Sequence, residues 1–135
     1  MKPEMDQILA ERFGKDTVMA LATAADGKPS VRYIDVFYEN GAFYTITYAL
    51  SGKMKQIEAN PAVALAGEWF TAHGTGVSLG WFGKAENREI AGKLSAAFAE
   101  WIDNGHNNFE DRNTIILRID LTDGLLLSHG TRYEF

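Results

Sequence analysis

Apolar positions open the chain at helical spacing: Met5, Ile8, Leu9 and Phe13 share one face of a helix predicted over residues 3–13. Pro3 suits its first turn and Gly14 its stop. The period then shortens to two. Thr17–Ala24 reads as a strand, and Asp26-Gly27 is a two-residue hairpin signal. Pro29–Tyr38, rich in β-branched and aromatic residues, is a second strand. Asn40-Gly41 turns the chain again into a third, Ala42–Tyr48. Ser51–Ala59 reads as a short helix closed by Pro61, because the residue before a proline disfavours the α region. Ala62–Phe70 and His73–Phe82 read as strands. Glu86–Asp103 has the longest helical pattern, with Ile90, Leu94, Ala97, Phe98, Trp101 and Ile102 on its apolar face and Gly105 past its end. Asn113–Leu121 and Leu125–His129 are read as strands about an Asp123-Gly124 turn. The chain is therefore expected to be mainly β, with flanking helices. Six or seven antiparallel strands point to a closed barrel over residues 1–135 as a single domain, and against a Rossmann sheet.

Composition narrows the chemistry. Of 135 residues, 46% are hydrophobic and 23% charged, an ordinary balance for a globular chain. The net charge of -5 argues against a nucleic-acid partner. There is no basic amphipathic stretch for a membrane surface and no apolar run of spanning length. The N-terminus MKPEMDQILAER lacks a signal-type apolar core, so the expected location is cytoplasmic. The absence of cysteine excludes disulfides, thiolate nucleophiles and iron–sulfur clusters. Redox chemistry in this chain would need a bound cofactor.

The stretch Thr45–Lys55, TITYALSGKMK, is where that cofactor finds donors. A strand ends and a helix begins, and a helix N-terminus offers unpaired N–H groups and a positive dipole end to phosphate. Thr47 and Ser51 add hydroxyls, Gly52 permits close backbone approach, and Lys53 adds charge. Lys53 and Lys55 sit in the first turn, where the dipole disfavours cations and a bound anion would offset them. Arg32, on the neighbouring strand, could add a bidentate fork. Lys28–Lys55 carries net +2, leaving -7 for the rest of the chain. From local features alone, a Ser51-capped helix with solvated lysines and a surface arginine is the commoner reading of the same residues.

The run RYIDVFYENGAFYTITYALSGKMKQIEANPAVALAGEW resembles the FMN-binding half of the pyridoxamine 5'-phosphate oxidase-like split barrels. The likeness covers about residues 10–82. It implies that Arg32, Thr47, Ser51 and Lys53 contact the FMN phosphate. It further implies that Tyr33, Ile34, Thr45 and Ile46 line the flavin ring by backbone and side chain. In that family the flavin lies at a homodimer interface, so a second subunit would supply the other wall, with Trp69, Phe70, Trp81 and Phe82 as candidates. Ordinary core packing is the alternative for these aromatics. Two departures stand out. The ending LLLSHGTRYEF lacks the arginine and tryptophan motif of the true oxidases, and Phe37 stands near the position of their strand lysine. Oxidation of pyridoxamine phosphate is therefore not expected.

Other motifs fall away. In Gly74–Gly80, GTGVSLG, Leu79 occupies the third glycine position of a dinucleotide fingerprint, so the segment reads as a flexible strand or a place of close approach. His73, His106 and His129 have no metal-ligand spacing, and His129 is kept as a substrate-side candidate. No GxSxG elbow occurs. The resemblance implies an FMN-dependent oxidoreductase, akin to flavin reductases or nitroreductases, moving electrons from reduced nicotinamide to a small acceptor. The alternatives are a non-catalytic flavin binder, or the same fold holding a deazaflavin or haem. No catalytic residue is assigned.

Overall fold

The computed structural model describes residues 1–105 and 107–135, so His106 lies outside the described residues. The helix α1 spans Pro3–Phe13, as the periodicity predicts. Then come β1 (Thr17–Ala25), β2 (Lys28–Glu39), β3 (Ala42–Tyr48), α2 (Gly52–Ala59), β4 (Ala62–Gly67) and β5 (Phe70–Trp81). A short 3-10 turn at Ala85–Asn87 leads into α3 (Arg88–Ala97), β6 (Thr114–Ser128) and β7 (Thr131–Glu134). Asp26 and Gly27 adopt φ 52° and 75°, and Asn40 and Gly41 φ 47° and 82°. These are the left-handed pairs that a two-residue hairpin requires.

The sheet runs β3-β2-β1-β4-β5-β6-β7, all antiparallel, and β3 also pairs β6. That last pairing closes six strands into a barrel and leaves β7 as an extra strand on β6. Inward residues alternate along each strand: Met19 and Leu21 on β1, Ile34, Val36 and Tyr38 on β2, Leu117 and Ile119 on β6. From α1, Met5, Leu9 and Phe13 plug one end. There the Phe13 ring lies 5.9 Å from Phe43 and 5.4 Å from Phe70. Met54 and Ile57 of α2 bury into the same core at the other end. A second cluster lies outside the barrel wall, where Leu94, Phe98 and Ile102 cover Ile116, Phe37, Tyr44 and Ile46.

One seam of the barrel is open. β2 pairs β3 only from Phe37 to Glu39, against Tyr44 to Ala42. Beyond that, residues 28–36 of β2 bond β1 alone, and Thr45–Tyr48 of β3 bond β6 alone. Two unpaired strand edges therefore face one another across a split, with α2 beginning at its end.

Three expected boundaries are corrected. The β4–β5 strands meet in a tight turn at Glu68-Trp69, with Trp69 at φ 57°, so residues 68 and 69 leave the strand. Gly67 precedes that turn, but Glu68-Trp69 at its centre is not a turn-favouring pair, so the sequence did not announce it. The helical pattern to Asp103 stops at Ala97. Phe98 turns out of helical geometry (φ -99°, ψ 20°), while Phe98, Trp101 and Ile102 keep their shared face in successive turns. Asp123-Gly124 is not a hairpin, because β6 runs through it to Ser128 with a register shift opposite His73/Gly74. A Cβ on Gly124 would lie 2.6 Å from the Phe135 ring and 2.8 Å from the Thr71 carbonyl, so close packing demands the glycine. The true turn is His129-Gly130, φ 49° and 77°, and it feeds β7, which the pattern did not show.

Candidate functional site

Arg32 points inward on β2 at the α2 end of the split. Alternation places Ser30 and Arg32 on the face that β1 shares through Leu21 and Thr23. Its Nη1 donates to the Leu21 carbonyl at 3.2 Å and to Thr23 Oγ1 at 2.8 Å, and its Nη2 to Gln56 Oε1 at 3.2 Å. Every acceptor is neutral. Burial lowers the guanidinium's pKa without changing its charge at ordinary pH.

Lys53 lies on the first turn of α2, half-buried, and has no carboxylate partner among the described residues. Burial and then the charge of Arg32 lower its pKa. Two cations are therefore held near each other without a counter-ion, in a chain that is acidic overall. Ser51 caps the helix, its Oγ accepting from the Met54 N–H at 3.3 Å, as an N-cap should. The hydroxyl proton remains free to donate. Gly52 has an ordinary helical backbone, and a Cβ there would meet nothing within 4 Å. The chain itself does not require glycine at 52, and the space above it is open. Thr47, half-buried near the end of β3, completes the hydroxyl set. This donor set fits a phosphate: two cations, hydroxyls and a helix N-terminus with no carboxylate paired to either cation among the described residues.

The expected ring-lining residues divide. Tyr33 is 79% exposed on the outer face of β2. Ile34 and Thr45 are buried, so only their backbone edges border the split. The Ile46 side chain packs under α3 and cannot face a ligand in the split. Phe37 does the same. Trp69 lies beyond Gly67, at the end of β4 opposite the Val63–Thr23 pairing, and it is not brought to Arg32 within one chain. It is 65% exposed, which leaves it available to another chain. Phe70 is corrected to core, 2% exposed beside Phe13 and Phe43. Trp81 donates to the Phe109 carbonyl and carries Arg112 over its ring, and Phe82 packs on Phe109, so both serve packing.

Sequence reasoning missed Thr23, Gln56 and Ser30, which hold Arg32 directly or through one another. The available signal was helical spacing: Lys53, Gln56 and Ile57 share the face of α2 turned to the barrel. It also missed a carboxylate pair on the outer side of β2. Burial, a hydrogen bond with Asp16 and that residue's charge push the Asp35 carboxyl up to about 6. Trp101 Nε1 donates to Asp16 Oδ2 at 2.9 Å, while the buried Asp16 Oδ1 has no heavy-atom donor. His73 pairs with Asp123 at 2.7 Å on the surface, and His129 is exposed in its turn. Among the described residues no cluster of three His, Asp or Glu side chains could hold a metal. No described helix is long and apolar enough to cross a membrane.

Comparison with known proteins gives the family and supports the fold. A family model described as pyridoxamine 5'-phosphate oxidase matches residues 1–125. The chain belongs to this family. Within it, general stress protein 26 of Bacillus subtilis (strain 168) is 32% identical over 121 residues, covering 85% of this chain and 82% of that one. The crystal structure of general stress protein 26 from Bacillus anthracis str. Sterne superposes with a TM-score of 0.72 at 16% identity, covering 98% and 99% of the two chains. An FAD-binding protein from Mesorhizobium loti superposes with a TM-score of 0.69 at 16% identity, covering 92% of each. Both superpositions support the split-barrel fold of the family.

Proposed function

We propose that this chain binds FMN in the split and works as a flavin-dependent oxidoreductase, taking electrons from a reduced nicotinamide and passing them to a small acceptor. The observation that carries the reading is the pair of uncompensated cations, Arg32 and Lys53, at the N-terminus of α2. Arg32, Lys53, Ser51 and Thr47 would hold the phosphate. The unpaired backbone edges at Tyr33–Ile34 and Thr45–Ile46 would offer hydrogen bonds to the polar rim of a flavin ring, orienting it and shielding one face from water. When bound, the flavin supplies the hydride chemistry that no side chain here can perform. An FAD-binding neighbour makes FAD the natural competitor in any binding assay.

The functional unit in this reading is a homodimer. Two outward rows cross the sheet in register: Val31, Ala22, Ala64 and His73, then Tyr33, Ala20, Ala66 and Thr71. Alanines form the floor, and Val31 at 70% and Tyr33 at 79% exposure form one wall. A trough of this kind, with exposed Trp69 nearby, has the apolar character of an interface. A second copy seated there would bring its Trp69 towards the split.

A non-catalytic flavin carrier is the second reading. It draws on β7, where Arg132 is tied to Glu134 at 2.6 Å and offers no free fork to a substrate phosphate. Absorption spectra during FMN titration test the primary proposal. Bound FMN should show shifted, structured bands, and reduced nicotinamide should then be consumed with an added acceptor. Unperturbed FMN would sink the flavin reading and send attention to deazaflavin or haem. Binding without turnover would favour the carrier.

A further inference from the structure

We propose that Gln56 is a positioning residue that fixes Arg32 while leaving its charge uncompensated, and so makes the α2 pocket selective for a dianionic phosphate monoester. This rests on the phosphate reading above and adds to it the residue that sets charge selectivity.

Thr23 Oγ1 accepts from Arg32 and donates to Gln56 Oε1 at 2.5 Å, and Gln56 Nε2 donates to Ser30 Oγ at 3.1 Å. The chain Arg32→Thr23→Gln56→Ser30 runs in one direction. Flipping the Gln56 amide would set its NH2 against the guanidinium, so the network dictates the orientation. Thr23 is 2% exposed, which keeps water from competing with the relay. The Thr23 and Gln56 oxygens take Nη1 and Nη2 across the end of the fork. Nε and the remaining Nη2 hydrogen form its side edge, and that edge has no partner among the described residues. An edge of this geometry matches two oxygens of a phosphate.

Two other arginines are held by carboxylates, whereas Arg12 donates to the Leu127 carbonyl at the surface. Arg118 is paired with Asp120 at 2.8 Å and Arg132 with Glu134 at 2.6 Å. Carboxylates are abundant in this chain, yet the site uses an amide where a glutamate of the same length would accept the same bonds from Arg32 and Thr23 and lose only the donation to Ser30. A glutamate there would cancel the charge that attracts a dianion.

Gln56→Glu in the full chain tests this, with dissociation constants for FMN and riboflavin read by fluorescence quenching. The expected result is a loss of FMN affinity of about tenfold or more, riboflavin affinity within about twofold, and no loss of thermal stability. Gln56→Met keeps the length, removes the acceptor and should also narrow the FMN-over-riboflavin preference. It serves if the glutamate chain does not fold. An FMN-over-riboflavin preference that stays unchanged in these variants, while the wild type prefers FMN, overturns the role of Gln56 and leaves the phosphate site standing. A wild type with no preference for FMN removes the phosphate site, and this inference with it.

Discussion

Asp35→Asn should stabilise the protein above pH 6 and do almost nothing below pH 4. Asp35 sits on β2 with its carboxyl partly buried against Asp16, and its pKa rises from 3.8 to about 6. The folded state therefore holds this proton more tightly than the unfolded chain does. Below 3.8 both states are protonated and the stabilisation from the proton is complete. It fades as pH rises through about 6, where the folded state must also ionise. A shift of this size corresponds to about 3 kcal/mol at 1.36 kcal/mol per unit. Partial solvent exposure screens the interaction and reduces this to about 1–2 kcal/mol. Asparagine carries no charge at any pH. In a chain of 135 residues the gain at pH 7.5 should raise the melting temperature by about 3–8 °C. Thermal unfolding of both proteins at pH 4, 5.5 and 7.5 isolates the effect of this site as a difference, because the carboxylates away from Asp16 and Asp35 titrate alike in each. An equal shift at all three pH values, or destabilisation at pH 7.5, would refute this account of Asp35.

Lys53→Ala should weaken FMN binding by about 1.5–3 kcal/mol, the scale of a hydrogen bond to a charged group, and leave riboflavin nearly unaffected; a change under about twofold for FMN removes Lys53 from the site. Gly52→Ala separates fold from ligand: with open space above it, alanine should stabilise the free chain by up to about 1 kcal/mol yet lower FMN affinity, and unchanged affinity would show that no ligand approaches there. Ala66→Arg, placed in the floor of the trough, should convert a dimer into a 15.0 kDa monomer in analytical ultracentrifugation, whereas a wild type already monomeric would dispose of the dimer.

Much of the fold is legible locally. The first three strands follow from alternation plus two left-handed turn pairs, because those φ values are available to Asp-Gly and Asn-Gly at low cost whatever surrounds them. α1 and α2 follow from a stripe of apolar residues and from Ser51 as a cap. The phosphate candidates were legible for the same reason: a helix N-terminus carries its dipole and free N–H groups with it. What failed to show depends on distant neighbours. Gly124 is a glycine because Phe135 and Thr71 press against it, and no hairpin forms there. The Trp69 turn is imposed by the pairing of Gly67 with Phe70. The helical face persists after Ala97 through irregular turns that keep only part of the ladder, such as the Ile102 N–H to Phe98 carbonyl bond, since the face is what packs against β3.

The sequence by itself determined which segments are strands or helices over most of the chain, and which residue types gather at the start of α2. Only the tertiary structure decided that β3 closes on β6, that β2 and β3 part to open a split, and that Ile46 and Phe70 belong to the packed interior. It alone showed that Arg32 is held by neutral oxygens from β1 and α2. A hydrogen bond or a strand pairing joins residues far apart along the chain, and its energy exists only once the barrel has brought them together.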